Sequence, residues 1–235
     1  MPTDPQHTPQ EHSHTQQWDD VDRYIVENIV GSDPVLEAAL QAAEEAGLPS
    51  IAVAPNQGKF LHLLALTKGA RRILEIGTLG GYSTIWLARA LPPGGRLVTL
   101  EVDPKHAKVA QANLDHAGLS KLVEIRVGPA VQSLEQMDKA GVDPFDMIFI
   151  DADKPSNPSY LEWALKLANS RALIVTDNVV REGEIANAGS DDPAIQGTRR
   201  MFDMLGADPR LSATAIQTVG SKGYDGFAMA VVLKG

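Results

Sequence analysis

From residue 72 onward, short apolar segments alternate with segments that have the spacing of amphipathic helices, and the pattern repeats five times. The short segments are almost wholly apolar, which is typical of parallel strands that are covered on both faces of a sheet. Strands and helices that alternate over short connections favour a doubly wound α/β architecture. The predicted strands are residues 72–76, 96–100, 123–127, 147–150 and 172–176. The predicted helices that follow the first four are residues 84–91, 104–117, 131–140 and 160–168.

The end of the chain departs from this alternation. Two further strand candidates, residues 213–218 and 227–233, are separated only by the turn-rich segment 220–226, which is too short for a helix. Strands that are joined in this way pair antiparallel. A helix over about residues 195–205 precedes them. We therefore predict a seven-stranded, doubly wound, mostly parallel sheet with one antiparallel hairpin at its edge and helices on both faces.

The chain has 235 residues, a length that fits a single α/β domain. Three helical patterns precede the first strand, over about residues 20–30, 34–46 and 56–67. We expect one domain over residues 18–235, in which residues 18–68 form a helical cover on the core of residues 69–235. Residues 1–17 are polar and contain three histidines, and we expect them to form a disordered tail.

Charge and composition narrow the possible partners. Lys plus Arg total 21 and Asp plus Glu total 30, so the formal net charge is −9. A net acidic chain is a poor electrostatic match for nucleic acid, and no apolar run approaches the roughly 20 residues that span a bilayer. The chain contains no cysteine, which excludes disulfides, thiolate metal sites and a cysteine nucleophile. We expect a cytoplasmic protein that acts on a small molecule, with no nucleic-acid partner and no membrane association.

The first predicted strand runs into a glycine-rich loop. In doubly wound sheets, ligands bind beyond the carboxyl ends of the strands. Gly77, Gly80 and Gly81 do not have the spacing of the dinucleotide fingerprint, and Glu75 would repel a diphosphate. Glu75 suits a ligand that carries an ammonium or sulfonium, and Glu101 at the end of the second strand can accept both hydroxyls of a ribose. Together these residues predict an adenosine ligand without pyrophosphate, S-adenosylmethionine.

Acidic residues follow the fourth and fifth predicted strands. Asp151, Asp153 and Lys154 come after the fourth, and Asp177 and Asn178 after the fifth. Because neighbouring parallel strands end side by side, we expect two carboxylates and an amide to meet next to an ammonium. Oxygen ligands of this kind suit a hard divalent cation, Mg²⁺ first and Mn²⁺ or Ca²⁺ as alternatives. The competing interpretation is that these residues only cap the helices that follow the strands.

These motifs resemble the cation-dependent class I O-methyltransferases, the family of catechol and caffeoyl-CoA O-methyltransferases and their bacterial relatives. The resemblance covers about residues 33–235 and implies a Rossmann-like methyltransferase fold, methyl transfer to a vicinal dihydroxy aromatic, and a homodimer. The combination of an Asp-Ala-Asp-Lys motif with a later Asp-Asn pair is its most specific part. The motifs are Leu74-Glu75-Ile76-Gly77, Gly81-Tyr82-Ser83, Glu101-Val102-Asp103, Asp151-Ala152-Asp153-Lys154, Asp177-Asn178, Asp208-Pro209-Arg210 and the segment 220–226.

The resemblance also implies roles for single residues. Asp151, Asp177 and Asn178 would hold the metal, and Lys154 would be the general base. The alternative for Lys154 is a structural ion pair with Asp151 or Asp153. The residues implied for binding S-adenosylmethionine are Val53, Glu75, Gly77, Gly81, Ser83, Glu101, Val102, Gly128, Ala130, Asp151 and Asp153.

Several alternatives stay open at this point. A metal-independent methyltransferase that acts on another small molecule would keep the same fold and cofactor. A nicotinamide-dependent oxidoreductase is opposed by the glycine spacing and by Glu75, and a non-catalytic binding protein is opposed by the intact acidic motifs. We expect the acceptor pocket to be formed by residues 49–52, the region after Lys154 and a mobile loop over residues 181–192.

Overall fold

The computed structural model describes residues 14–233, and within this range one sheet of seven strands forms the centre of the molecule. The strands are β1 (Arg72–Ile76), β2 (Arg96–Glu101), β3 (Val123–Val127), β4 (Phe145–Ile150), β5 (Ala168–Asp177), β6 (Leu211–Gly220) and β7 (Gly223–Val232). Their order is β3-β2-β1-β4-β5-β7-β6. Strands β1 to β5 pair in parallel, and β7 pairs antiparallel with both β5 and β6. The predicted sheet and its edge hairpin are confirmed.

Helices cover both faces of this sheet. The α-helices of the described range are α1 (His14–Ile25), α2 (Pro34–Glu45), α3 (Pro55–Lys68), α4 (Tyr82–Ala88), α5 (Pro104–His116), α6 (Ala130–Lys139), α7 (Asn157–Leu167) and α8 (Pro193–Ala207). Short 3₁₀ turns at Lys154–Ser156 and Arg181–Ala186 follow β4 and β5. Proline stands at the start of many of these helices, where its missing N–H costs nothing. No helix within residues 14–233 is long and apolar enough to cross a membrane.

The core lies in two layers, one on each face of the sheet. Leu74 and Ile148 pack into one buried cluster, whereas Ile73 and Met147, one residue earlier on the same strands, pack into the other. This alternation follows from the two-residue period of a strand. Both faces are apolar because helices cover both, which is the reason that the central strands could be recognised in the sequence.

The register of the sheet sets the position of the functional residues. Ile76 pairs with Ile150, and Ile150 pairs with Thr176. The residues that follow these three positions therefore leave the sheet at the same edge. Strand β2 lies on one side of β1 and β4 lies on the other, so the strand order reverses at β1. This reversal is the switch point at which doubly wound sheets bind ligands.

Most element boundaries lie within three residues of the sequence-based expectation, and three differences are larger. Helix α1 begins at His14, so residues 14–17 of the expected tail are helical, and residues 1–13 lie outside the described range. Strand β5 begins at Ala168 rather than 172. Its first residues contain an irregularity, where the register against β4 shifts and Arg171 has a positive φ of 66°. The hairpin turn is only two residues long, between the paired Gly220 and Gly223.

Candidate active site

The glycine loop after β1 comes very close to the end of β4. Gly77 has a φ of 103°, and a Cβ at this position would lie 2.0 Å from the carbonyl oxygen of Asp151. Gly81 precedes α4 with a φ of 82°, and a Cβ there would lie 3.3 Å from the Cβ of Ala110. A side chain at either glycine would therefore strain or displace the loop. These two glycines bring the loop, the start of α4 and the end of β4 together.

Glu75 lies beneath this loop and is fully buried. Its Oε1 accepts the hydroxyl of Ser83 at 2.7 Å, and its Oε2 accepts the hydroxyls of Thr84 and Thr99 at 2.5 and 2.7 Å. Burial raises the pKa of Glu75 to about 7 against the opposing effect of these three donors. The predicted cofactor residues Glu75 and Ser83 are thus brought together, with Glu75 holding the loop from below.

Glu101 fixes the same loop from the end of β2. Its Oε2 accepts the backbone N–H groups of Thr78 and Leu79 at 3.2 and 2.8 Å, and its Oε1 accepts that of Asp103 at 2.9 Å. A carboxylate offers about four lone-pair positions. Three backbone donors therefore leave capacity for a further hydroxyl, such as that of a ribose.

The other residues expected at the adenosine end lie close to Glu101. Val102 follows it directly and is exposed, and the N–H of Gly128 donates to the carbonyl of Glu101 at 2.8 Å. Gly128 has a φ of 139°, and Ala130 begins α6 two residues later. The carboxyl ends of β2 and β3 thus bring together Val102, Gly128 and Ala130 beside Glu101.

The acidic residues after β4 and β5 are brought together as expected. Burial, and then the negative charge of Asp151, raise the pKa of Asp177 to about 7, while the charge of Lys154 opposes them. The Nζ of Lys154 lies 3.0 Å from Oδ1 of Asp151, and the lysine is buried. Asn178 follows Asp177 with a φ of 55°, a left-handed conformation that asparagine tolerates better than most residues.

Lys154 is held by the close packing of α8. A Cβ at Gly197 of α8 would lie 2.4 Å from the carbonyl oxygen of Lys154 and 2.7 Å from Cα of Pro155. Only glycine allows this approach. The backbone of the lysine is therefore fixed, while its side chain points to the carboxylate of Asp151.

The carboxylate of Asp153 forms its hydrogen bonds within the segment that follows β4. One of its oxygens accepts the hydroxyl of Tyr160, and the other accepts that of Ser156 at 2.5 Å. Burial, together with the nearby carboxylate of Asp153, raises the pKa of Tyr160, so this hydroxyl stays protonated as a donor. In this structure the carboxylate of Asp153 stabilises the turn that carries Lys154.

Two residues of the site had no assigned role in the sequence. The side-chain amide of Gln57 in α3 donates to Oδ2 of Asp177 at 2.6 Å. Oδ1 of Asp225 in β7 accepts the N–H groups of Val180 and Arg181 at 2.9 and 3.0 Å, just after Asn178. Neither residue directly follows a parallel strand, so the pattern of polar residues at strand ends did not indicate them. The segment expected to be a mobile loop therefore begins with a fixed turn.

A cavity of about 310 Å³ adjoins the glycine loop. Three segments were expected to form the acceptor pocket. Of these, only residues 49–52 line this cavity, through Pro49, Ser50 and Ala52. Its remaining walls come from α2, from Leu79 and Gly80 of the glycine loop, and from the turn between β6 and β7. Val53, expected at the methionine part of the cofactor, lines the same cavity.

The donor set at the strand ends fits a divalent cation. Within residues 14–233, no group of three or more His, Cys, Asp or Glu side chains is arranged to hold a metal. The candidate site consists instead of two carboxylates, Asp151 and Asp177, and the amide of Asn178. Burial, and then the nearby charge of Asp151, raise the pKa of Asp177, and a cation held by both carboxylates would relieve the repulsion between them. Oxygen donors of this kind are those that Mg²⁺, Mn²⁺ and Ca²⁺ prefer.

Known proteins resemble the chain over almost its whole length. A catechol O-methyltransferase from Niastella koreensis is 54% identical over 215 residues, which cover 92% of this chain and 97% of that protein. A catechol O-methyltransferase from Mycobacterium tuberculosis is 56% identical over 213 residues, which cover 91% and 95% of the two chains. The crystal structure of an O-methyltransferase from Bacillus cereus in complex with SAH has a TM-score of 0.92 at 56% identity, and the match covers 93% of this chain and 99% of that one.

A family model described as O-methyltransferase matches residues 27–230. This range includes the glycine loop, the acidic residues after β4 and β5 and all but the last two residues of the edge hairpin. The chain therefore belongs to the O-methyltransferase family, which confirms the resemblance that the motifs indicated and the expectation of an S-adenosylmethionine-dependent O-methyltransferase.

Proposed function

We propose that this enzyme transfers the methyl group of S-adenosylmethionine to one hydroxyl of a vicinal dihydroxy aromatic, with a divalent cation, Mg²⁺ first, as the second cofactor. The observation that carries the proposal is the meeting of Asp151, Lys154, Asp177 and Asn178 beside the glycine loop. The names of the two catechol O-methyltransferases, both more than half identical to this chain, support the choice of acceptor.

The cofactor would lie along the carboxyl edge of β1 and β2. The residues that would face its methionine part are Val53, Gly77, Gly81 and Ser83, with Glu75 acting through the loop. Glu101 would accept a hydroxyl of its ribose. Val102, Gly128 and Ala130 would border the adenine, and Asp151 and Asp153 the amino group. The SAH in the related Bacillus cereus structure supports S-adenosylmethionine as the cofactor, because SAH remains when S-adenosylmethionine has lost its methyl group.

The metal would be held by Asp151, Asp177 and Asn178. When bound, a divalent cation draws electron density from the acceptor oxygens and so favours the ionised hydroxyl that attacks the methyl group. The protein itself brings the two carboxylates together from adjacent strands, and Asn178 follows Asp177 with a left-handed backbone. The acceptor and the methyl donor are then aligned, which is worth roughly 7–11 kcal/mol in well-oriented reactions.

Lys154 is proposed as the group that, as the neutral amine, takes the proton from the acceptor hydroxyl and becomes an ammonium. A phenol has a pKa of about 10, so little of it is ionised at neutral pH. The Nζ of Lys154 lies beside the candidate metal site and is shielded from solvent. The 3.0 Å contact between Lys154 and Asp151 also supports the alternative role of Lys154, a structural ion pair. Such an ion pair would be compatible with a metal-independent methyltransferase.

A homodimer is proposed for the assembly. Val21 and Tyr24 of α1 are exposed, as is Ile29 in the π-helical turn that follows. These side chains lie on the N-terminal helices that the sequence indicated as the apolar contact surface. A second copy of the chain would cover them. The absence of cysteine fits the proposed cytoplasmic location.

An acceptor comparison tests the proposed reaction. Methyl transfer from labelled S-adenosylmethionine would be measured with caffeic acid, which has two adjacent hydroxyls, and with p-coumaric acid, which has one. Each is assayed with Mg²⁺ and with EDTA. We expect transfer only to caffeic acid and only with Mg²⁺. Transfer to both acids at similar rates, unaffected by EDTA, would instead support the metal-independent alternative.

A further inference from the structure

We infer that Gln57 is a positioning residue of the metal site, which orients the carboxylate of Asp177 and is itself held by the N-terminal helix α1. This inference rests on the metal dependence proposed above. Gln57 lies in the first turn of α3, 120 residues away from Asp177 in sequence. None of the motifs at the strand ends includes it.

The carboxylate of Asp177 is fixed on both oxygens. Nε2 of Gln57 donates to Oδ2 at 2.6 Å, and the N–H of Asn178 donates to Oδ1 at 2.8 Å. One donor on each oxygen restricts rotation of the carboxylate and leaves lone pairs on both for a cation. The contact is sheltered, because Asp177 is buried and Gln57 is half-buried.

The chemistry of Gln57 suits this task. Its amide donates a hydrogen bond without adding to the positive charge that Lys154 already places beside Asp151. A lysine or arginine in its place would compensate Asp177 directly and compete with the metal. Donors that hold metal-binding carboxylates typically account for 10–100-fold in metal affinity.

A chain of hydrogen bonds connects Gln57 to helix α1. Oδ1 of Asn56 accepts the N–H of Gln57 at 2.9 Å, and Nδ2 of Asn56 donates to Oδ1 of Asp22 at 2.8 Å. The other oxygen of Asp22 accepts the N–H of Ser221 in the hairpin turn at 2.8 Å. A Cβ at Gly220 would lie 2.4 Å from that oxygen, so the turn fits closely around Asp22. Asp22 thus holds the start of α3 in place from a buried position.

The test replaces Gln57 with methionine, which keeps the length of the side chain and removes its donor. Gln41→Met is the matched control, because Gln41 also donates to a carboxylate, that of Glu45 at 2.8 Å, but on the exposed face of α2. Binding of Mn²⁺ without acceptor is measured by electron paramagnetic resonance, and binding of S-adenosylmethionine by calorimetry. We expect Gln57→Met to bind Mn²⁺ 10–100-fold more weakly and S-adenosylmethionine within twofold of wild type.

Other outcomes decide against the inference. Equal Mn²⁺ affinity for Gln57→Met and Gln41→Met would overturn it while leaving the metal site intact. No Mn²⁺ binding by the wild-type protein would overturn the proposed metal dependence and this inference with it. If Gln57→Met loses both ligands, Gln57→Asn decides, since it keeps the amide and shortens its reach. An Asn variant that binds S-adenosylmethionine normally and Mn²⁺ as tightly as wild type contradicts the inference.

Discussion

At the scale of single residues, the buried contact between Lys154 and Asp151 gives the sharpest expectation for catalysis. Replacing Lys154 by alanine removes the proposed proton acceptor, and general-base groups typically contribute 10²–10⁴-fold. We expect methyl transfer to fall by that order while S-adenosylmethionine still binds, as measured by single-turnover transfer and calorimetry. Lys139→Ala is the control, because Lys139 also forms an ion pair, with Glu135 at 2.6 Å, but on the surface. A Lys154 variant as active as this control would contradict the assigned role.

Glu75 predicts a pH dependence of stability. Burial raises its pKa from 4.5 to about 7 in the folded protein, so the native state binds a proton that the unfolded state has released. Its contribution to stability is full below pH 4.5 and is lost as the pH rises to about 7. The Glu75→Gln variant lacks this proton uptake. We expect urea unfolding from pH 5 to pH 7 to reveal a decline in wild-type stability that is smaller, by about 2 kcal/mol, in the variant. The same decline in both proteins would contradict the assignment.

The sequence identified the site residues that directly follow parallel strands. Asp151, Asp177 and Lys154 could be predicted to meet because the sheet's register fixes where strands end. Gln57 could not, because its approach to Asp177 depends on how α3 packs over the sheet, which no local pattern encodes. The assignment of Asp153 to the cofactor stays a prediction, and its hydroxyl partners Ser156 and Tyr160 depend on the same kind of packing.

At the scale of elements, the turn after β5 depends on Asp225. This carboxylate accepts the N–H groups of Val180, Arg181 and Gly226 through one oxygen. Arg181 and the next residue have φ values of 54° and 55°, a conformation that costs energy and needs such support. Asp225 therefore holds the segment that begins with the proposed metal ligand Asn178.

Replacing Asp225 by alanine should loosen this turn. We expect a loss of about 1–3 kcal/mol in the free energy of unfolding and faster hydrogen exchange at the amides of Val180 and Arg181. Asp208→Ala is the comparison, because the carboxylate of Asp208 accepts hydrogen bonds from Arg210, only two residues away. Unchanged exchange at both amides in the Asp225 variant would disprove the tether.

Element boundaries could be predicted only where a pattern was visible. Strands β1, β2 and β4 are buried on both faces, and their apolar runs revealed them. Strand β6 is the exposed edge of the sheet, with nearly all its side chains in solvent, so its alternation carried too little signal to locate its start at Leu211. Because the first residues of α1 are polar, the sequence assigned residues 14–17 to the disordered tail.

At the scale of the whole molecule, the alternation of strands and helices was enough to predict the sheet, because few topologies satisfy it.

The assembly of the molecule could not be predicted from this alternation. Val21, Tyr24 and Ile29 are 51%, 68% and 75% exposed, which motivates the proposed dimer. We expect sedimentation equilibrium to give twice the chain mass of 25.2 kDa, and Tyr24→Glu to shift the protein towards monomer. A wild-type protein that stays monomeric at high micromolar concentration would contradict this proposal.

The central claim is that Asp151, Asp177 and Asn178 bind a divalent cation that methyl transfer requires. The most direct measurement is the rate of transfer to caffeic acid by protein stripped with EDTA and then titrated with Mg²⁺, for wild type and for Asp177→Asn. We predict that stripping lowers the wild-type rate at least about 100-fold, that Mg²⁺ restores it, and that the variant needs more than about tenfold higher Mg²⁺. Stripped protein that keeps its full rate, with Asp177→Asn equally active, would contradict the claim.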